Sequence, residues 1–495
     1  MRERVFAHYL GNAWAADAFR VALRIPNTIR NLLGEGTLSA SFIPVYAAFN
    51  ERDDKSDARA LAGAVLGLLL LASAVLALIG IAFAPALTTV VGAGLQGPGR
   101  VLAVTLMRLL FPMTGLMVVS AWCLGVLNTH RRFFLPYAAP ALWNVAGIAA
   151  LVVAGTWLVS TSLPLEQQLL RLSMALAWGT VAGSILQIAV QLPVCWRLLN
   201  GLHLRFTKPW PEGLRDVLVA WAPLVIGAGV AQISGLVDTL LGTLAGEGGA
   251  SSLGYAQLLQ VLPISLFGTS VAAVSLPELS RDAVGATPND QLRVRIAAGF
   301  RRITFFVVPS SFLFVSLGPV LVAALFQTGR FGDRDSSLVG GVLAAYGVGL
   351  LGQACVKLFA SGFYALRDTK TPVRIAAFSV ALSSGLAYLL MRRYGAAGIA
   401  LGSSLGATVN VALHLYDLDR RIGTVMRAAD WGAAAIAVAG GAVAAAAGLG
   451  LAQLAVGFGP IIRATVAVAG FGIVYLSVTL IAKHPDAARL WTFLR

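Results

Sequence analysis

The sequence predicts an all-α polytopic membrane protein, and three observations carry that prediction. Only 12% of its 495 residues are charged and 58% are hydrophobic, with a mean hydropathy of +0.79, whereas a soluble domain carries about 25% charged residues. Apolar runs of about 20 residues or more, the length one helix needs to cross the hydrocarbon core, recur along the whole chain. Strands of a membrane barrel would instead be about 10 residues long and strictly alternating. Finally, the cations gather in every second connector between the apolar runs.

Hydropathy and breaker residues place spans near 20–34, 60–90, 101–127, 138–158, 172–194, 217–243, 253–276, 303–326, 337–362, 373–391, 396–417, 431–455 and 461–482. The stretch "MRERVFAHYLG" before them reads as the tail of one more span whose beginning is absent. About 14 transmembrane helices are therefore expected, the first truncated. With the connector at 12–16 taken as external, the cytoplasmic connectors and tail hold 23 Lys and Arg and the external connectors 7. That is a positive-inside bias, and it puts both termini in the cytoplasm.

Several function classes drop out. The net charge of +15 and pI of 10.4 do not indicate nucleic acid, because topology alone demands cations in those connectors. Cys123, Cys195 and Cys355 lie in or beside spans with no CxxC pair, so neither a disulfide nor a zinc framework follows. The first residues are too short and too charged for the apolar region of a cleavable signal. No HExxH, GxSxG or GxxxxGK[ST] motif occurs, so no enzyme, metal or cofactor chemistry is expected.

The charges that remain inside spans carry the functional reading. Arg20, Arg24, Arg30, Arg108 and Lys357 lie within or at the edge of spans, and Glu35 and Asp238 are the clearest acids there. A charge at that depth costs several kcal/mol unless it faces protein or water, so the pattern implies a hydrated, cationic interior suited to an anion. On an ideal helix, Asp17, Arg20, Arg24, Asn27, Asn31 and Glu35 fall within about an 80° stripe. Arg30 lies about 80° from Arg20, and Pro26 can bend or rotate the second half. Two readings of the stripe stand. Its residues pair with one another, Arg24 with Asp17 or Glu35, and hold helices together; or they bind an anion, since cations exceed acids and pairing cannot use them all.

Other polar positions carry paired readings too. Asp238, in "SGLVDTLLG", is a candidate coupling-ion or proton site. Lys357 either faces a cavity or snorkels to the interface. Arg367 and Asp368, in "FYALRDTKTP", form either a gate pair or a capped cytoplasmic turn before Pro372 opens the next helix.

The stretch "DAFRVALRIPNTIRNLLGEGTLSASFIPVY" (17–46) resembles the MurJ/MviN family of lipid II flippases, members of the multidrug/oligosaccharidyl-lipid/polysaccharide exporter superfamily. "LNTHRRFFLPYAAPALWN" (127–144), "SVAAVSLPELSR" (270–281), and "LFQTGRFGDRDS" (325–336) running on to "GFYALRDTKTPV" (362–373) agree in order and spacing. The resemblance implies two pseudo-symmetric six-helix lobes, 1–200 and 210–420, rocking about a central cavity. A C-terminal helix pair at 429–482 would form a groove for a prenyl tail, its small residues allowing close packing. The implied activity is transport of lipid II, an undecaprenyl-pyrophosphate disaccharide-pentapeptide, from the cytoplasmic to the periplasmic leaflet of the bacterial inner membrane by alternating access. An O-antigen or polysaccharide-repeat flippase and a multidrug antiporter are the rival readings; the basic stripe and the extra helix pair argue against the latter. Membrane lipids and the cell-wall synthesis machinery are the other partners implied.

Carried over position by position, the family's cavity arginines fall on Arg2 and Arg30 and its acidic partners on Asp17 and Glu35. This agrees with the stripe, because guanidinium forks bind pyrophosphate oxygens bidentately. Two departures stand out. The arginine that the family often carries shortly after a "YA" pair is absent, since Tyr255 and Ala256 are followed by Gln257 and Leu258. An arginine a turn or two ahead of Arg2 is also missing. Arg20 is the candidate source of the charge that Leu258 lacks.

Overall fold

The computed structural model describes residues 1–34, 36–51, 55–159, 163–201, 204, 210–282 and 288–494. They are helical almost throughout, and the single β-bridge among them joins Thr328 to Phe331. The chain divides into two compact units, Met1–Gly248 and Gly249–Arg495. Among the described residues, twelve helices are long and apolar enough to cross a membrane, and one of them holds two of the expected spans.

The first unit runs α1 (Arg2–Leu10), α2 (Trp14–Leu33), α3 (Thr37–Glu51), α4 (Lys55–Ala82), α5 (Ala84–Val91), α6 (Gly97–Thr129), α7 (Phe134–Ala138), α8 (Pro140–Val159), α9 (Leu165–Leu198) and α10 (Leu214–Leu244). At nine residues, α1 is shorter than a crossing requires. The span expected at 20–34 begins earlier, at Trp14, and its helical path resumes in α3 after Gly34 and Gly36, the latter with φ 85°. The span expected at 60–90 breaks at Phe83, ahead of Pro85. Central to this unit is α6, buried along most of its length and packed on α2, α4 and α9. Where apolar packing alone gives no direction, polar groups fix the contact: Gln187 donates to Ser120 at 2.7 Å, Ser120 donates to Gln191 at 2.8 Å, and the Trp122 indole donates to the Ala62 carbonyl at 3.0 Å.

The second unit runs α11 (Gly249–Pro263), a π-helical turn (Ile264–Thr269), α12 (Ser270–Asp282), α13 (Pro288–Phe326), α14 (Asp333–Ala365), α15 (Lys370–Ile422), α16 (Ala428–Leu454), α17 (Pro460–Ile481) and α18 (Pro485–Leu494). The π turn follows Pro263, and it sets Gly268 against Ala354, where a Cβ would lie 2.6 Å from a carbonyl oxygen. Such turns recur at functional positions. The 53 residues of α15 are two helices meeting at Gly395 (φ 56°, ψ −138°), which accounts for the two spans expected there. The pair α16–α17 packs on α13 through glycine and alanine: the backbone of Gly441 approaches the Phe312 ring, and Tyr475 donates to the Phe305 carbonyl at 2.6 Å.

Four helices end in the same turn. Arg131, Asn200, Arg367 and Lys483 take φ of 57°, 51°, 59° and 54°, and the following N–H returns to the carbonyl five residues back at 2.8–3.0 Å. This is the Schellman arrangement, in which glycine normally occupies the left-handed position. A side chain there costs roughly 1 kcal/mol. Three of the four are cations beside the unpaired carbonyls of a helix C-terminus, where a positive charge recovers part of that cost.

Candidate functional site: a basic cluster on the first two helices

The cluster is built where α1, α2, α8 and α10 meet, all within the first unit. A Glu3 carboxylate on α1 accepts from Arg20 on α2 at 2.6 Å, and the Arg20 guanidinium also lies over the Phe6 ring, 5.1 Å from its centroid. Arg2, next to Glu3, stacks on Trp143 of α8 at 4.3 Å, within electrostatic reach of both Arg20 and Arg30. Arg20 and Arg2 thus both act on the Glu3 carboxylate, and Arg30 lies within electrostatic reach of Arg2. Sequence reading missed Glu3 and Trp143; the alternating charge of "MRER" is the only trace of the former.

The stripe on α2 does not act as one surface. Arg20 points to α1, whereas Arg24 points to α10, filling the space beside Gly235 within electrostatic reach of Asp238 one turn on. The positive charge of Arg24 within electrostatic reach of Asp238 weakens the attraction of that acid for a mobile cation. Arg30 makes only a 3.4 Å contact to Asn31, and its Nε–H, like that of Arg24, is buried with no acceptor among the described residues. Buried donors without partners cost free energy; a phosphate oxygen would satisfy them. Glu35 lies outside the described residues.

Asp17 has a different setting. It is 1% exposed and accepts the Gly248 N–H at 2.6 Å, while Glu247 accepts the Trp14 N–H at the start of α2 at 3.1 Å. The two carboxylates hold the turn after α10 onto the α2 N-terminus, which favours negative charge. Gly248 permits this: its φ is 77°, and a Cβ would lie 2.4 Å from the Asn12 carbonyl oxygen.

The second unit holds the remaining positions. Lys357 on α14 donates to Thr269 at 3.2 Å, at the end of the π turn. Arg367 is exposed in its left-handed turn, and Asp368 accepts from the Lys370 and Thr371 amides, the Thr371 hydroxyl and Arg421 at 2.6–3.0 Å. Arg367 and Asp368 do not pair in this set; Asp368 caps α15. Leu258, where the family's arginine is missing, is 45% exposed, and its neighbour Gln257 donates to Tyr346 at 3.1 Å.

The fold and this cluster define a multi-pass helical membrane protein with surplus positive charge at span depth. The family described as "Lipid II flippase MurJ" matches residues 6–465. The "Lipid II flippase MurJ" of Burkholderia cenocepacia is 34% identical over 426 residues, covering 85% of this chain and 80% of that one. The chain belongs to the MurJ lipid II flippase family, a family of transporters. The structure "Lipid II flippase MurJ, inward closed conformation" superposes with a TM-score of 0.78 at 22% identity, over 97% of this chain and 95% of that one. An inward-facing multidrug resistance MATE transporter of the MOP superfamily gives 0.66 at 17% identity, over 86% and 94%. Both likenesses are of fold.

Proposed function

We propose that this protein carries lipid II from the cytoplasmic to the periplasmic leaflet by alternating access, and that the first unit's basic cluster holds the pyrophosphate. The supporting observation is the family membership over residues 6–465, taken with Arg2, Arg20 and Arg30 lying within electrostatic reach of one another on the first two helices. Arg2, Arg20, Arg24 and Arg30 supply the donors, with Glu35 as the acidic partner carried from the family. A pyrophosphate bound there would pair the Nε–H groups of Arg24 and Arg30 that have no acceptor among the described residues. No covalent step is needed: the cargo shifts the conformational equilibrium by its differential affinity for the two states.

The same reading includes an inner-membrane location with both termini cytoplasmic, lobes near 1–200 and 210–420, and a prenyl-tail groove on 429–482. It also includes Lys357, Arg367 and Asp368 as gate or cavity residues and Asp238 as a coupling-ion site, the last weakened by its proximity to Arg24. The test is complementation: this chain should support growth of cells depleted of their own lipid II flippase. Lysis of those cells despite normal membrane abundance of this chain would reject the reading.

A further inference from the structure

We propose that the groove between the end of α6 and the end of α9 binds the phosphate of an anionic phospholipid headgroup. It is separate from the basic cluster. Arg131, Arg132, Phe133 and Phe134 line one side and Arg197 the other, around a cavity of about 690 Å³. The three arginines are exposed and make no ion pair among the described residues.

Topology puts these residues at one membrane boundary. The helices Gly97–Thr129, Phe134–Leu158 and Leu165–Leu198 are three successive segments long and apolar enough to cross a membrane, which puts the end of α6 and the end of α9 on the same face. Positive-inside cations need only be near that boundary; these converge on one cavity from two helix ends. A further observation gives them a ligand. Phe134 and Phe133 are 86% and 56% exposed on the cavity rim, an arrangement suited to lipid rather than bulk water. Guanidinium forks match phosphate oxygens, and apolar rims match the glycerol and upper acyl chain. That combination selects a membrane lipid over a soluble phosphate.

The test uses the full chain in nanodiscs of phosphatidylcholine, with and without phosphatidylglycerol, counting the phosphatidylglycerol retained per protein by mass spectrometry. Arg131→Gly is the informative variant, because glycine relieves the left-handed backbone and should melt no lower than the native chain in neutral lipid. Retention should fall about fivefold for each of Arg131→Gly, Arg132→Gln and Arg197→Gln. Exposed Arg374→Gln should leave it unchanged. Retention equal to native in all three groove variants would overturn the proposal. So would an equal fall in Arg374→Gln, which would indicate a diffuse surface field, or displacement of the lipid by millimolar glycerol phosphate.

Discussion

One carbon added at Gly235 of α10 would lie 1.4 Å from a terminal nitrogen of Arg24 on α2. The guanidinium occupies the space left by the missing side chain, and Asp238 lies one turn further along the same helix. Alanine is the better helix former by about 1 kcal/mol, so Gly235→Ala should not weaken α10 itself. It should expel Arg24 from its place and lower transport about tenfold, the effect of roughly 1.4 kcal/mol. Growth support at matched membrane abundance is the readout; native-level support would show that the position of Arg24 is immaterial.

Arg30 carries the sharpest prediction for the basic cluster. Its half-buried guanidinium reaches Asn31 at 3.4 Å, and its Nε–H has no acceptor among the described residues. Arg30→Ala should abolish growth support without loss of protein, because the charge at that depth exists to meet an anion. Arg30→Lys should restore it only in part, since an ammonium keeps the charge but lacks the bidentate fork. Full activity of the alanine variant at normal abundance would remove Arg30 from the site.

An ion pair of unequal exposure adds to the packing that ties the C-terminal helix pair to α13. Asp430, at the start of α16 and 3% exposed in its side chain, accepts from Arg301 of α13 at 2.6 Å, and it also caps its own helix through the Arg427 amide at 2.9 Å. Asp430→Ala strands the Arg301 charge and removes the cap. Since Arg301 is 32% exposed and water screens it, the loss should be about 2 kcal/mol rather than the 3–5 of a fully buried pair. A detergent melting series should show it, and Asp430→Asn should recover the cap but not the pair. No shift in melting for Asp430→Ala would contradict this assignment.

Asp368 gives a pH-dependent prediction. The Thr371 hydroxyl and amide, then Arg421, hold its carboxyl well below the usual carboxylate range. The folded value lies under the unfolded one, so its contribution is complete above about pH 4 and is lost as pH falls through the folded value. Amide exchange at the start of α15 should be faster in Asp368→Asn than in the native chain at pH 7, and the difference should shrink below pH 4. A difference that grows on acidification would reverse the sign and refute the capping account.

The fold was largely legible from hydropathy and punctuation: the expected spans fall on helical segments, although those at 60–90 and 253–276 are broken into shorter helices, and Gly395 marks where two of them join. Helical periodicity put Arg20 and Arg24 on one stripe and set Arg30 about 80° away, but it could not tell which neighbour each would face. That depends on contacts with distant segments. Glu3 reaches Arg20 across the turn between α1 and α2, and Asp17 is engaged by Gly248, more than two hundred residues away. Asp238 read as a lone acid because its companion, Arg24, sits on another helix. The left-handed cations at helix ends were hidden as well, because a Schellman turn without glycine leaves no signature in composition.

The most direct measurement of the central claim is the amount of lipid II exposed in the periplasmic leaflet of cells depleted of their own flippase. Expression of the native chain should restore exposure, while Arg2→Ala combined with Arg30→Ala, at equal abundance, should leave it at the depleted level. Equal exposure with the native and doubly substituted chains would contradict the basic cluster as the cargo site, and no exposure with the native chain would contradict lipid II as the cargo.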